Sequence, residues 1–355
     1  MSPAEQPPPR ADVRRPTLNA VAALAGVGRG TVSRVINGSP KVSAHARAAV
    51  ERAIDELGYV PNPAARSLAT RRTDSVAVVV PEGEDRLFSE PYFSGIIRGV
   101  SAQLAIAQMQ LLLVLTPDEK EYARLATYLS AHRVDGVLIL AVHSGDTLPD
   151  RLHELAVPTV LAGRRGRGEP LGHVRADNNG GARIAVEHLL ARGRRAIATI
   201  TGPLDMDAAQ ARLDGYREAL EGAGITVDED LIAYGDFREE GGRAAMRELL
   251  RRRPGLDAVF AASDVMASGA VLELRAAGRR VPHDVAVVGF DDSIVARHID
   301  PPLTSVRQPL EEMGRTMATL LLDEIARRGG GHRQEVGGDH RQVVLPTRLV
   351  VRESA

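Results

Sequence analysis

Five short segments of this 355-residue chain gather the side chains that could do chemistry. They are Pro81–Phe93, Gly202–Arg212, Gly235-Asp236-Phe237, Ser263-Asp264 and Gly289-Phe290-Asp291-Asp292, and they carry carboxylates, an arginine and aromatic rings. Carboxylates accept from hydroxyl groups, guanidinium groups donate to them, and an aromatic face covers the apolar side of a ring. Such a set grips a polyhydroxylated ligand. Bond-breaking chemistry fits poorly, because no His-Glu-x-x-His, nucleophile elbow or phosphate loop is present. The chain has no cysteine, which removes disulfides, thiolate metal sites and a cysteine nucleophile. Its ten histidines are scattered, with His332 and His340 in a Gly-rich stretch that reads as solvated surface. No catalytic residue, cofactor or metal is expected.

The elements that must position these segments show up as an alternation. Apolar runs at Val76–Val80, Leu111–Leu115, Val137–Leu140, Thr159–Ala162, Ile197–Ile200, Ala258–Ala261 and Val285–Val288 read as buried strands. Amphipathic stretches at 92–107, 180–192, 208–222, 238–252, 264–277 and 309–327 read as helices between them. That rhythm predicts an α/β fold of parallel sheets with crossover helices. Residues 73–355 are too many for one such sheet, so two lobes are expected, with an eight-stranded α/β barrel as the alternative. Open α/β folds bind ligands at the C-terminal ends of their strands, where the five segments fall. The plainer reading of each is a helix N-cap, since Asp and Ser at strand exits commonly serve as one.

The formal charge of −1 hides a polarity along the chain. Residues 1–72 carry +6 and residues 73–355 carry −7. A basic N-terminal unit on an acidic body suggests that one end meets a polyanion. Only Lys41 and Lys120 are lysines; the other cations are arginines, the side chain suited to bidentate contact with guanine and phosphate. This bias runs through the whole chain, so base composition of the gene accounts for it better than a binding demand. The first residues lack the apolar run of a signal peptide, and no apolar stretch reaches the roughly 18 residues of a membrane helix. A soluble, cytoplasmic protein with no membrane partner is expected.

After a leader at 1–15 that reads as disordered, Thr17 is placed to cap a helix through Ala25, with Leu18, Val21, Ala22 and Ala25 on one face. Gly26-Val27-Gly28 breaks it, a second helix runs over 29–37, and Ser43 opens a third that stops at Gly58. Two short helices across a Gly-containing turn, backed by a third, form a helix-turn-helix unit. Gly26-x-Gly28-x-Gly30 is a poor dinucleotide loop, because it follows a helix where that loop must follow a strand.

The order and spacing of Thr17-Leu18, Val21-Ala22, Ala25-Gly26-Val27, Thr31-Val32-Ser33-Arg34-Val35-Ile36-Asn37-Gly38, Val42-Ser43 and Leu57-Gly58-Tyr59-Val60-Pro61-Asn62 resemble the headpiece of the lactose/galactose repressor family. The resemblance implies that the 29–37 helix enters the major groove of an operator. It puts Arg29, Gly30 and Arg34 at the base-reading positions, with Thr17, Thr31, Ser33 and Asn37 on phosphates. Gly28 stands where the family usually has Ser or Thr. Gly30 offers no side chain, so base readout should fall mainly to Arg29 and Arg34. Segment 63–72, an exposed linker by composition, becomes by resemblance a hinge helix that forms on DNA. Ala65 and Leu68 would then sit in the minor groove, with Leu68 wedged between base steps.

The same family resemblance extends over the body through Asp177-Asn178-x-Gly180-Gly181, Thr201-Gly202-Pro203, Ser263-Asp264-x-Met266-Ala267, Val287-Val288-Gly289-Phe290-Asp291-Asp292 and Pro302-Leu303-Thr304. It implies a two-lobed core like a periplasmic binding protein over 73–355, after a headpiece at 16–62 and a hinge at 63–72. Ligand-binding positions carried over are Arg212, Asp291 and Gln308 on hydroxyls, Phe237 stacked on a sugar, Phe88 near the same cleft, and Ser263. Ser263 stands where lactose-type members have asparagine, which argues against a lactose-like effector. The implied protein is a homodimeric repressor, similar to actinobacterial oligosaccharide-responsive members, that binds double-stranded DNA under control of a sugar. Effector binding could either release or strengthen the operator complex. An enzyme or transport receptor on the same body is the alternative.

Overall fold

A computed structural model describes residues 16–36, 39–60, 72–116, 118–131, 133–329 and 342–355. The leader at 1–15, Asn37, the hinge residues Ala65 and Leu68, and the Gly-rich stretch from 330 to 341 lie outside the described residues. The chain divides into two compact units, Met1–Thr73 and Asp74–Ala355.

The first unit holds α1 (Leu18–Ala25), α2 (Arg29–Ile36) and α3 (Ala44–Leu57). Thr17 accepts from the Ala20 amide at 3.3 Å and Ser43 from the Ala46 amide at 3.3 Å, so both expected N-caps form. Left-handed Gly26 and Gly58 close α1 and α3. A core of Val21, Val32, Val35, Val50, Ala53 and Tyr59 joins the three helices. It is small, so this unit rests on few apolar contacts plus its caps.

The second unit contains two six-stranded sheets. One is built from β1 (Ser75–Val80), β2 (Gln110–Leu115), β3 (Gly136–Ile139), β4 (Thr159–Ala162) and β5 (Gly172–Ala176), with β11 (Gln342–Leu345) at its edge. Its order is β11-β5-β4-β3-β1-β2. The other contains β6 (Ile197–Thr201), β7 (Ile232–Tyr234), β8 (Ala258–Ala261), β9 (Ala286–Asp291), β10 (Thr304–Arg307) and β12 (Arg348–Val350), in the order β12-β10-β9-β8-β6-β7. Among the described residues every pairing is parallel except β10 with β12. Two separate sheets exclude the barrel. The seven apolar runs are all strands, and the unbroken hydrophobicity of six follows from helices covering both faces; the edge strand β2 leaves Leu112 and Leu113 partly exposed. Strands β5, β7 and β10 went unread because they are short or carry charged residues, as in Gly172-His173-Val174-Arg175-Ala176.

The helices of this unit are α4 (Glu84–Ser89), α5 (Pro91–Ile106), α6 (Tyr122–Ser130), α7 (Leu148–Glu154), α8 (Asn178–Ala191), α9 (Asp207–Gly222), α10 (Glu239–Arg252), α11 (Asp264–Ala276), α12 (Ile294–His298) and α13 (Leu310–Gly329). Helix α13 packs on β3, β4 and β5, whereas α8 packs on β8, β9, β10 and β12. The chain therefore passes between the lobes three times, after β5, after β10 and between β11 and β12. Helices α5 and α13 meet backbone to backbone. A Cβ on Gly99 would lie 2.0 Å from the Glu311 carbonyl oxygen, and one on Gly314 would lie 2.1 Å from that of Ile96. Glycine at both positions is what lets the two axes approach.

Candidate functional site

On α2, Val32 and Val35 point into the core, and helical spacing turns Arg29, Gly30 and Arg34 to solvent. Arg34 donates from Nε to the Gly30 carbonyl at 3.1 Å, which holds its stem along the helix while the residue stays exposed. Thr17 is exposed and Thr31 and Ser33 are half-buried. The exposed face of α2 thus carries two arginines with no carboxylate among its own residues.

In the second unit, the strand ends border a cavity with an empty volume of about 780 Å³, part of it open to solvent. Arg212, Phe237, Ser263, Asp291 and Gln308 all line it. Arg212 is buried on α9, donates from Nε to Asn178 Oδ1 at 2.9 Å and from Nη1 to the Ala262 carbonyl, and lies 3.8 Å above the Phe290 ring. Burial pushes its pKa down, and Asp291, Tyr92 and Asp264 push back. A guanidinium keeps its proton under such conditions, so the site holds a fixed positive charge.

Asp291 faces that charge. It has φ of 112° and Asp292 has φ of 52°, so two consecutive non-glycine residues occupy the unfavourable half of backbone space. The turn is pinned through Asp292. Its carboxylate binds Arg307 and Arg352, and its amide donates to Ser305 Oγ at 3.0 Å. With Asp292 anchored below, Asp291 is left lining the cavity, where Gln308 Nε2 donates to its Oδ1 at 2.6 Å. Burial raises the pKa of Asp291, against the pull of Arg212 and Gln308. Asp264 is also raised by burial and by the charge of Asp291, although Ser305 and Ser293 donate to it.

Phe237 has φ of 68° and its ring lies on Gly202, where a Cβ would meet the ring at 2.1 Å. The guanidinium groups of Arg86 and Arg212 each lie 5.8 Å from the ring centre. Ser263 caps α11 by accepting from the Met266 amide at 3.2 Å, which uses one lone pair of its hydroxyl while the residue also lines the cavity. Here the plainer N-cap reading applies.

Phe88 departs from the expectation. It is 79% exposed and does not line the cavity. On the short α4, Arg86 and Leu87 face inward and Phe88 follows on the outer side. The residues that reach the cavity from this segment are Arg86, Glu90, Pro91, Tyr92 and Phe93. Arg86 binds Glu90 at 2.6 Å and also Glu82. Burial lifts the Glu90 pKa to about 7 despite Arg86, and pushes Tyr92 up to about 12. The i,i+4 spacing of Arg86 and Glu90 was a readable signal for this pair. Arg164 and Asn178 also went unassigned; Arg164 follows β4, so the strand-end rule reaches it.

Arg164 donates from Nε to Asp207 Oδ1 at 2.8 Å, joining a loop of the first lobe to α9 of the second. Among the described residues no group of His, Cys, Asp and Glu forms a metal site, and no helix is long and apolar enough to cross a membrane.

Comparison with known proteins agrees with both units. Residues 17–62 match the bacterial regulatory proteins of the lacI family, and residues 186–355 match the periplasmic binding protein-like domain. The chain is 55% identical over 348 residues to the HTH-type transcriptional regulator CelR of Thermobifida fusca, covering 96% of this chain and 98% of that one. It is 35% identical over 311 residues to the ribose operon repressor of Escherichia coli K12, covering 87% and 93%. A solved complex of CelR with cellobiose is 53% identical with a TM-score of 0.75, covering 96% of this chain and all of that one. The lac repressor dimer bound to operator and an anti-inducer is 27% identical with a TM-score of 0.80, covering 96% and 99%. These relatives are named as transcriptional regulators and repressors, not as enzymes. With a helix-turn-helix headpiece and a two-lobed ligand-binding core in one chain, the protein belongs to the lacI family of bacterial regulatory proteins.

Proposed function

We propose that this chain is a homodimeric transcriptional repressor whose DNA affinity is set by a gluco-oligosaccharide, of which cellobiose is the simplest candidate. The observation that carries this reading is that buried Arg212 and the hydrogen-bonded pair of Asp291 and Gln308 line one cavity beside the Phe237 ring. Arg212 supplies donors, Asp291 and Glu90 supply acceptors, and Phe237 supplies an apolar face, which together suit a neutral polyol. The cellobiose complex of a 53%-identical relative supports the size and class of ligand.

Effector binding draws the lobes together around the cavity, and the changed lobe angle withdraws the headpieces from paired half-sites. In the headpiece, Arg29, Gly30 and Arg34 face base edges, with the two arginines doing the reading, while Thr17, Thr31, Ser33 and Asn37 lie against the phosphates. Ala65 and Leu68 belong to the hinge that carries the signal. The test is a gel-shift assay with a near-palindromic operator, with and without cellobiose. Release by cellobiose, lost in Asp291→Asn, supports the reading; DNA binding indifferent to every mono- and disaccharide overturns it.

A further inference from the structure

One histidine connects the lobes outside the cavity just described. His143 follows β3, and its Nδ1 lies 2.7 Å from Oδ2 of Asp205, which follows β6 in the other lobe. Its Nε2 lies 3.2 Å from Oε1 of Glu82, which follows β1 in its own lobe. The adjacent Ser144 amide donates to the Asp205 carbonyl at 2.8 Å, so the two loops also touch through backbone.

A neutral imidazole has one N–H. It can satisfy one of these carboxylates but must turn a lone pair toward the other. The imidazolium donates to both. The charged groups touching the ring or its backbone amide are the acids Glu82, Asp205 and Asp146, and a nearby cation, Arg86, binds the same Glu82 oxygen as the ring. Asp146 accepts from the His143 backbone amide at 2.7 Å. Glu82 also binds Arg86, and Arg86 binds Glu90 on the cavity wall, so the same chain of charged hydrogen bonds reaches the ligand site.

We propose that His143 is a positioning residue that latches the lobes by holding a proton between Glu82 and Asp205, so that closure on the effector takes up that proton. The proposal rests on the effector reading above. Opening the lobes removes Asp205 from the ring while Glu82 stays beside it. The hydrogen bond to Glu82, together with that to Asp205, raises the pKa of His143 from 6.5 to about 9. The open form therefore releases the proton at a lower pH than the closed form. Between those two values closure takes up part of a proton, and effector affinity falls as pH rises through the window.

Two measurements on the full chain test this. In NMR of carbon-13-labelled histidine, with the resonance assigned by His143→Gln, His143 should titrate at least about one pH unit above a free imidazole. Asp205→Asn should move it down. An ordinary midpoint in the wild type, or one unchanged by Asp205→Asn, overturns the latch. In calorimetry with cellobiose near pH 8, the binding enthalpy should vary with the ionisation enthalpy of the buffer. His143→Gln should bind about threefold to tenfold more weakly and lose most of that dependence. The half-exposed Asp205→Asn serves if His143→Gln does not fold. Wild-type uptake retained in both variants overturns the coupling. Failure of the wild type to bind any saccharide would instead sink the effector reading, with the NMR result still deciding the latch.

Discussion

Gln308 Nε2 and Asp291 Oδ1 lie 2.6 Å apart, one just beyond the end of β10 and the other at the end of its neighbour β9. This bond commits one carboxylate oxygen and leaves the other for the cavity. It also places Gln308, next to a crossing between lobes, in direct contact with a ligand-facing acid. Gln308→Ala should weaken effector binding about tenfold, and Asp291→Asn by more, because the asparagine loses an acceptor opposite Arg212. Calorimetric titration with cellobiose measures both, and equal affinity in wild type and Gln308→Ala would remove the pair from the site.

The headpiece prediction separates base reading from backbone contact. Arg29→Ala should cost about 1–3 kcal/mol on the preferred operator and relax sequence preference at one position of each half-site. Thr31→Ala should weaken binding by a similar factor on all sequences. Affinity for operator and scrambled duplexes, each at two salt concentrations, distinguishes them. A uniform loss from Arg29→Ala would reassign that residue to the phosphates.

Glu90 sets a pH dependence whose sign can be worked out. Burial raises its pKa from 4.5 to about 7 in the fold. The folded state thus holds its proton to higher pH than the unfolded chain does. The associated stability is complete below about pH 4.5 and is lost as pH rises through about 7. Glu90→Gln should then be more stable than wild type at about pH 8, by on the order of 1–3 kcal/mol, with the difference shrinking toward about pH 5. Denaturant melts at the two pH values check this; a pH-independent difference would contradict it.

The contact between α5 and α13 is open to a single-methyl test. Gly99→Ala places a carbon 2.0 Å from the Glu311 carbonyl oxygen, a clash that only backbone movement relieves. The expected cost is about 1–3 kcal/mol, read as a lower denaturation midpoint of the core. Gly145→Ala, where a Cβ meets nothing within 4 Å, is the control and should be near neutral.

Much of this architecture was legible in the residues. Thr17 and Ser43 cap the helices they were expected to cap, because a short hydroxyl before an apolar helical stripe has few other uses. The runs of Val, Ile and Leu identified seven strands because both faces of six of them are covered, and the seventh, the edge strand β2, is apolar all the same. Strand β5 escaped because its His173 and Arg175 break the apolar run, although its neighbours still pair with it. At the site, Arg212, Phe237, Asp291 and Gln308 could be placed from their motifs. Phe88 could not, since its orientation depends on the phase of α4, a six-residue helix too short to show a period. The His143 bridge was invisible for a different reason: Glu82, His143 and Asp205 are about sixty residues apart at each step and meet only after both lobes have formed.

The three passages between lobes also order the events of biosynthesis. The first sheet has five strands by Ala176, yet its sixth, Gln342–Leu345, emerges after nearly all of the second lobe has been made. Until then the outer edge of Gly172–Ala176 offers unpaired amides and carbonyls to any extended chain nearby. A nascent molecule therefore passes through a long interval as a target for chaperones or for pairing with its own kind, which ends when residues 342–345 dock.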